Sequence, residues 1–207
     1  MEYVFVHGLG QRSSSWEQTI SFMSEPEEIR CPDLFALLEN KECTYASLYE
    51  VFSTYCEAIP EPLNLCGLSL GGILALNYAI DYPEKVDSLV LIGAQYKMPK
   101  RLLKFQNMIF QVMPNSTFKK MGMQKQELIQ LTGSMSDLDF SSKLKDISCD
   151  TLVLIGGKDR ANKKAAERLA EKIERAKLRI VQASSHEVNV ARPEDLGQEL
   201  EVFYKSR

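Results

Sequence analysis

The stretch Leu63-Asn64-Leu65-Cys66-Gly67-Leu68-Ser69-Leu70-Gly71-Gly72-Ile73-Leu74-Ala75-Leu76-Asn77-Tyr78 decides the fold. A strand-like run from Pro62 to Cys66 stops at Gly67, and from Leu70 the pattern turns helical and reaches Asp81. Between them, Gly67-Leu68-Ser69-Leu70-Gly71 has the form G-x-S-x-G. That form suits a strand that turns abruptly into a helix and leaves a serine exposed at the apex on a strained backbone. Side chains at Gly67 and Gly71 would collide with neighbouring backbone. The helix N-terminus also sets positive partial charge beside any oxyanion that forms at Ser69. The five residues alone are equally compatible with a structural serine in a glycine-rich turn. A phosphate-binding turn fits less well, because no P-loop lysine follows and the first strand lacks G-x-G-x-x-G.

Outward from this turn, short apolar runs alternate with longer helical patterns. Strands are predicted at Tyr3 to Val6, Val86 to Ile92, Thr151 to Ile155 and Leu178 to Gln182, with a weaker one at Glu28 to Cys31. Helices are predicted over Ser14 to Met23, Tyr45 to Ala58, Leu70 to Asp81, Ala161 to Ala176 and Pro193 to Lys205, the last with proline at its first position. Strands that are apolar throughout, rather than alternating, fit a parallel sheet covered on both faces. The expected class is α/β: a doubly wound, mostly parallel sheet with right-handed crossovers. Residues 96–148 break the rhythm with about 50 helical, methionine-rich residues, including Met98, Met108, Met113, Met121, Met123 and Met135. This segment reads as a helical cap inserted into a core formed by 1–95 and 149–207; additional core helices are the plainer alternative.

In a parallel sheet, residues just past the strand C-termini gather along one edge. His186, one of only two histidines, follows the last strand run in Ala183-Ser184-Ser185-His186. Imidazole titrates near neutrality and suits a base for Ser69, although a surface-loop histidine would look the same. Asp159 follows the Thr151 to Ile155 run in Gly156-Gly157-Lys158-Asp159, 27 residues before His186, room for one helix and one strand. A carboxylate there would orient the imidazole, or simply cap the helix starting near Ala161. Asp87 precedes a strand, and Asp137 and Asp139 fall in the inserted segment, so all three are poor rivals. After the first strand comes His7-Gly8-Leu9-Gly10, whose bare glycines let backbone approach a ligand closely. The expected oxyanion donors are the Leu9 and Leu70 amides, with His7 in a structural role, hydrogen-bonded to loop backbone.

Length and composition bound the rest. The chain has 207 residues, enough for one sizeable core, and a formal net charge of −3 that gives no reason to expect nucleic acid. No apolar run approaches the roughly 18 residues of a membrane span. The apolar start ends at His7 with no basic residues ahead of it, so a secretory leader is not expected. Five cysteines without a CxxC pair read as free thiols in a cytoplasmic protein and disfavour a zinc site.

His7-Gly8-Leu9-Gly10 with Trp16, Gly67-Leu68-Ser69-Leu70-Gly71-Gly72, Gly157-Lys158-Asp159 and Ser185-His186 together resemble the α/β-hydrolase superfamily. The match extends over nearly the whole chain, loosest in 96–148, and is nearest to small carboxylesterase-like members with a helical cap. The resemblance implies that Ser69, Asp159 and His186 act as a triad. It implies a serine hydrolase that forms an acyl-enzyme on an ester or thioester and needs neither cofactor nor metal. Because the chain opens directly on the strand before His7, the family's first two strands are expected to be missing. That leaves about six strands and an edge open to solvent or to a partner such as a second copy.

The same resemblance admits a triad-dependent lyase or C–C bond hydrolase of the menaquinone-pathway type, for which Arg12, Arg101 and Arg160 are candidate carboxylate binders. A non-catalytic ligand-binding module on a hydrolase scaffold is the reading from a different class. Substrate preference is expected to reside in 96–148. There the methionines form either an adaptable apolar wall or cap-to-core contacts. Lys97, Lys100, Arg101 and Lys104 form either a steering rim for anionic substrates or an ordinary solvated face.

Overall fold

The computed structural model describes residues 2–25, 28–39, 41–100, 103, 108, 111, 113–114 and 124–207. In chain order its elements are β1 (Glu2–Val6), α1 (Glu17–Ile20), β2 (Ile29–Arg30), α2 (Leu34–Leu37), α3 (Tyr45–Glu57), β3 (Leu63–Leu68) and α4 (Leu70–Asp81). They continue as β4 (Val86–Ile92), α5 (Lys125–Ser134), β5 (Asp150–Gly156), α6 (Lys163–Lys172), β6 (Ala176–Val181), α7 (Val188–Ala191) and α8 (Pro193–Lys205). The six strands form one sheet in the order β2-β1-β3-β4-β5-β6, every pair parallel.

Apolar runs make these strands because both faces of the sheet are covered. Val4, Val6, Leu63, Leu65, Leu89, Leu91, Val153 and Ile155 point into one core, shared with α3, α4 and α6. The alternate residues Phe5, Cys66, Leu68, Val90, Ile92, Leu152 and Leu154 point into the other, against Trp16 and the Leu196, Leu200 and Phe203 stripe of α8. Period-2 alternation therefore separates two apolar layers, not core from solvent. The outer strands differ: β2 pairs with β1 over only two positions, and β6 exposes Lys177, Arg179 and Ile180. A short or charged edge discourages pairing with other chains.

Several element boundaries depart from expectation. Ser14 to Met23 divides into a 3-10 turn, Ser13–Trp16, and the single turn α1. The helix after Asp159 is shorter than predicted, Lys163–Lys172, and Ala176 already begins β6. The single-turn helices α2 and α7 had no periodic signal, since four residues cannot display one.

Between β4 and β5 runs a long connection, described chiefly at 93–100 and 124–149. Its outgoing and returning legs pair with each other: Met98 N–H donates to the Leu138 carbonyl (3.0 Å) and Phe140 N–H to the Tyr96 carbonyl (2.8 Å). A bridge joins Lys97 to Asp139. On the returning leg, α5 buries Leu128 and Leu131 and is tied to the start of α3 by Tyr45 N–H on Ser134 Oγ (2.8 Å). Met98 and Met135 are buried in the core, whereas Met108 is exposed. Met121, Met123, Arg101 and Lys104 lie outside the described residues.

The turn from β3 into α4 is packed backbone to backbone. A Cβ on Gly71 would lie 2.3 Å from the Val6 carbonyl oxygen and 2.7 Å from that of His7. A Cβ on Gly67 would lie 2.3 Å from the Gly71 carbonyl oxygen. Gly157, by contrast, has nothing closer than 3.5 Å. Gly71→Ala should therefore cost about 3 kcal/mol, near the upper end of ordinary overpacking, and Gly157→Ala less than about 0.5 kcal/mol. Urea melts of the two variants check this, and equal midpoints would contradict it.

Candidate active site

Ser69 joins β3 to α4 with φ 52° and ψ −111°, a region that costs a non-glycine residue on the order of 1–3 kcal/mol. The conformation is held from both sides. Its N–H donates to the Ile92 carbonyl at the end of β4 (2.8 Å), and its carbonyl accepts from Ile73 N–H in the first turn of α4 (3.0 Å). The side chain faces a cavity of about 520 Å³ whose wall includes Leu9, Leu70, Ile73, Met98, Leu103, Thr132 and Met135.

His186 and Asp159 come from the ends of β6 and β5. His186 Nδ1 lies 2.6 Å from Asp159 Oδ2, with the carboxylate side chain 4% exposed and the imidazole 37% exposed. The loops carrying them interlock: Gly157 N–H donates to the Val181 carbonyl and Lys158 N–H to the Ser184 carbonyl, each at 2.9 Å. Gly93 packs its bare Cα against the pair. A Cβ there would lie 2.9 Å from His186 Cε1 and 3.4 Å from Asp159 Oδ2, and φ is +56°. Ile92, which anchors Ser69, and Gly93, which supports the imidazole, are adjacent, so the three predicted residues converge on one peptide at the end of β4.

Asp159 also does what the plainer reading expected. Its Oδ1 accepts from Asn162 N–H (3.2 Å), capping the turn before α6. The Asn162 side-chain amide donates to Oδ1 (3.0 Å) and Oδ2 (2.9 Å). Burial opposes ionisation of Asp159, but the hydrogen bonds from His186 and Asn162 outweigh it and hold the carboxyl below its ordinary pKa. The rival acids are occupied elsewhere: Asp139 pairs with Lys97 (2.7 Å), Asp137 with Lys100, and Asp87 with Arg207.

The loop after β1 is braced from both sides. His7 is fully buried; its Nε2 accepts from Leu34 N–H (3.1 Å), so Nδ1 carries the proton and donates to the Gly8 carbonyl (2.9 Å). Burial depresses its pKa against the opposing pull of Gly8 and Asp33, which fits a neutral ring. Gly8 N–H donates to Gln11 Oε1 (3.3 Å). Gln11 and Asn189 exchange side-chain amides, at 3.1 and 3.2 Å, tying this loop to the segment after His186. The Leu9 amide has no acceptor among the described residues. Leu70 opens α4, where helix amides lack intrahelical partners. Both donors lie on the cavity wall beside Ser69, and a Cβ on Gly8 would lie 3.6 Å from Ser69 Cβ.

Residues 3–199 match the family model described as "Alpha/beta hydrolase family". The chain belongs to the alpha/beta hydrolase family. Among curated relatives, this alpha/beta hydrolase is 28% identical over 93 residues to a pimeloyl-[acyl-carrier protein] methyl ester esterase of Nitrosomonas europaea. That match takes in 45% of this chain and 37% of the relative. The corresponding enzyme of Wigglesworthia glossinidia brevipalpis is 33% identical over 94 residues, 44% of this chain and 35% of the relative. The aligned part is thus little more than a third of each relative's length. Among solved structures, NosK from Streptomyces actuosus superposes with TM-score 0.81 at 22% identity, covering 99% of this chain and 98% of that one. MenH from S. aureus gives TM-score 0.77 at 16% identity, covering 100% and 94%. At these identities the superpositions speak for the fold.

Gly93, Gln95, Asn162, Gln11 and Asn189 belong to this neighbourhood and were not singled out from sequence. Gly93 had a signal, since it ends the β4 run in the way Gly67 ends the β3 run. The four amides had none, because their partners are distant in sequence.

A buried neutral His7 has a consequence for stability. Its folded pKa lies below the ordinary 6.5, so the unfolded chain binds the proton better. This contribution is complete above that value and is lost as pH falls through it, with a slope of up to about 1.4 kcal/mol per pH unit. Comparing denaturant stability of wild type and His7→Gln between pH 7 and pH 5 should show the steeper decline in wild type. Parallel curves would rule out the neutral clamp.

Proposed function

We propose that this alpha/beta hydrolase is a serine esterase that cleaves a carboxylic ester or thioester through an acyl-enzyme on Ser69. One observation carries the reading: the buried Asp159 holds His186 by a 2.6 Å hydrogen bond, against the residue next to the one that anchors Ser69. His186 takes the Ser69 proton as Oγ attacks the substrate carbonyl. Asp159 keeps the proton of the neutral imidazole on Nδ1 and stabilises the imidazolium that forms. The oxyanion sits between the Leu9 and Leu70 amides at the positive end of α4. The imidazolium then protonates the departing alcohol or thiol, and water, activated by the same base, releases the acid. No step calls for a metal or cofactor.

The reading of 96–148 as a cap is supported by its described residues Met98, Leu103, Thr132 and Met135, which line the cavity, and by the pairing of its two described legs. The apolar wall of Leu9, Leu70, Ile73, Met98 and Met135 suits a short or medium acyl chain. The named relatives act on a methyl ester of an acyl group carried by a protein, which fits this class of chemistry. Of the basic cluster, Lys97 and Lys100 are less available for steering than composition implied, since they are paired with Asp139 and Asp137. No described helix is long and apolar enough to cross a membrane. The five free thiols support a cytoplasmic setting for the reaction.

A graded panel of p-nitrophenyl esters and acyl thioesters tests the reading. Ser69→Ala should lower kcat by roughly 10⁶ and Asp159→Asn by roughly 10⁴, with both variants folded. Turnover that survives Ser69→Ala would overturn the mechanism. Fluorophosphonate labelling of Ser69 without turnover of any panel member would overturn the esterase assignment in favour of other triad chemistry.

A further inference from the structure

The side-chain amides of Gln95 and Asn162 form a short chain that ends on the triad acid. Gln95 Nε2 donates to Asn162 Oδ1 at 2.6 Å. Asn162 Nδ2 donates to both oxygens of Asp159, at 3.0 and 2.9 Å, and stands 3.2 Å from His186 Nδ1. With the backbone N–H of Asn162 on Oδ1 and His186 on Oδ2, the carboxylate is enclosed by donors. From these contacts we infer that Asn162, oriented by Gln95, is a positioning residue that sets how Asp159 presents its charge to His186. The inference rests on the esterase reading only for its kinetic consequence.

The geometry excludes a passive role for the amide. A carboxylate turned by rotation of χ2 would offer the imidazole a different lone pair, and the two Asn162 contacts, one on each oxygen, fix that rotation. The amide cannot flip without cost: a flip would set Oδ1 against the carboxylate and Nδ2 against the Gln95 donor. Asp159 and Gln95 together hold Asn162 in this orientation, as Asn162 holds that of Asp159. Both amides line the cavity beside Ser69. Gln95 also lies two residues before Lys97, where the outgoing leg of the cap pairs with Asp139. The chain Gln95–Asn162–Asp159–His186 thus runs from the base of the cap to the base of the reaction. A shift of that leg would be felt at the imidazole through three hydrogen bonds.

The test uses the full chain and the variants Asn162→Leu, Asn162→Asp and Gln95→Leu, each with two readouts. In p-nitrophenyl ester turnover, Asn162→Leu and Asn162→Asp should lower kcat by about 10- to 100-fold while KM stays within about threefold. Gln95→Leu should give a smaller loss in the same parameter. In proton NMR, the low-field Nδ1–H signal of His186, identified by its absence from His186→Ala, should shift and exchange faster with solvent in all three. Asn162→Asp keeps the shape, removes the donor and sets a second carboxylate against Asp159, so a normal kcat and an unmoved signal in that variant would overturn the inference. Should Asn162→Leu fail to fold, Gln95→Leu, which leaves the carboxylate's own contacts in place, decides. An inactive wild type with variant signals displaced would reject the esterase reading and uphold the positioning role. An active wild type matched by all three variants would reject the positioning role alone.

Discussion

The site depends on one hydrogen bond, from the Ser69 amide to the Ile92 carbonyl. Ser69 occupies a backbone region that a free chain avoids, and a residue stays there only when its surroundings leave no alternative. The bond to β4 supplies one constraint and the Ile73 amide the other. The bare Cα atoms of Gly67, Gly71 and Gly72 let β3, α4 and the end of β1 close around the turn. The carbonyl that fixes Ser69 is followed at once by Gly93, against which the His186 imidazole packs. Ser69 and His186 are thus referenced to the same piece of sheet, and neither position relies on a long loop.

Much of this was legible in the sequence, for reasons that can be named. The central strands read clearly because burial on both faces makes them apolar without interruption, as in Leu89-Val90-Leu91-Ile92. Three strand ends read clearly because their apolar runs stop at glycine, at Gly67, Gly93 and Gly156. In a parallel sheet those stops share an edge, which sets Ser69, Asp159 and His186 on one side of the sheet. What did not read were features whose partners are remote. Asn162 looks like any polar residue near a helix start, and only the fold shows it against a carboxylate. The single-turn helices Leu34–Leu37 and Val188–Ala191 are too short for periodicity and exist because tertiary contacts hold them.

Electrostatics within the site follows from where water is kept out. Asp159 is nearly inaccessible, and burial by itself would favour its protonated form. Donors reverse that preference and hold the Asp159 charge in a poorly solvated position, where it acts most strongly on its neighbours. His7 illustrates the opposite outcome. Buried beside backbone groups and with its nearest carboxylate 3.9 Å away, it stays neutral and serves as a two-ended strut between Leu34 and Gly8. Two histidines in one chain thus take different roles because one meets a desolvated carboxylate and the other meets peptides.

The reciprocal amide pair of Gln11 and Asn189 has a bearing on how such a protein can be altered. It spans 178 residues of sequence and joins the loop offering the Leu9 amide to the segment behind His186. Neither loop is therefore an interchangeable module. A chimera that imports the first loop from another protein without the second would leave one buried carboxamide facing a foreign side chain, with unmet donors and acceptors. The two segments form a single unit of inheritance, and recombination points that separate them cut the buried hydrogen bonds by which the front and back of the site are stitched.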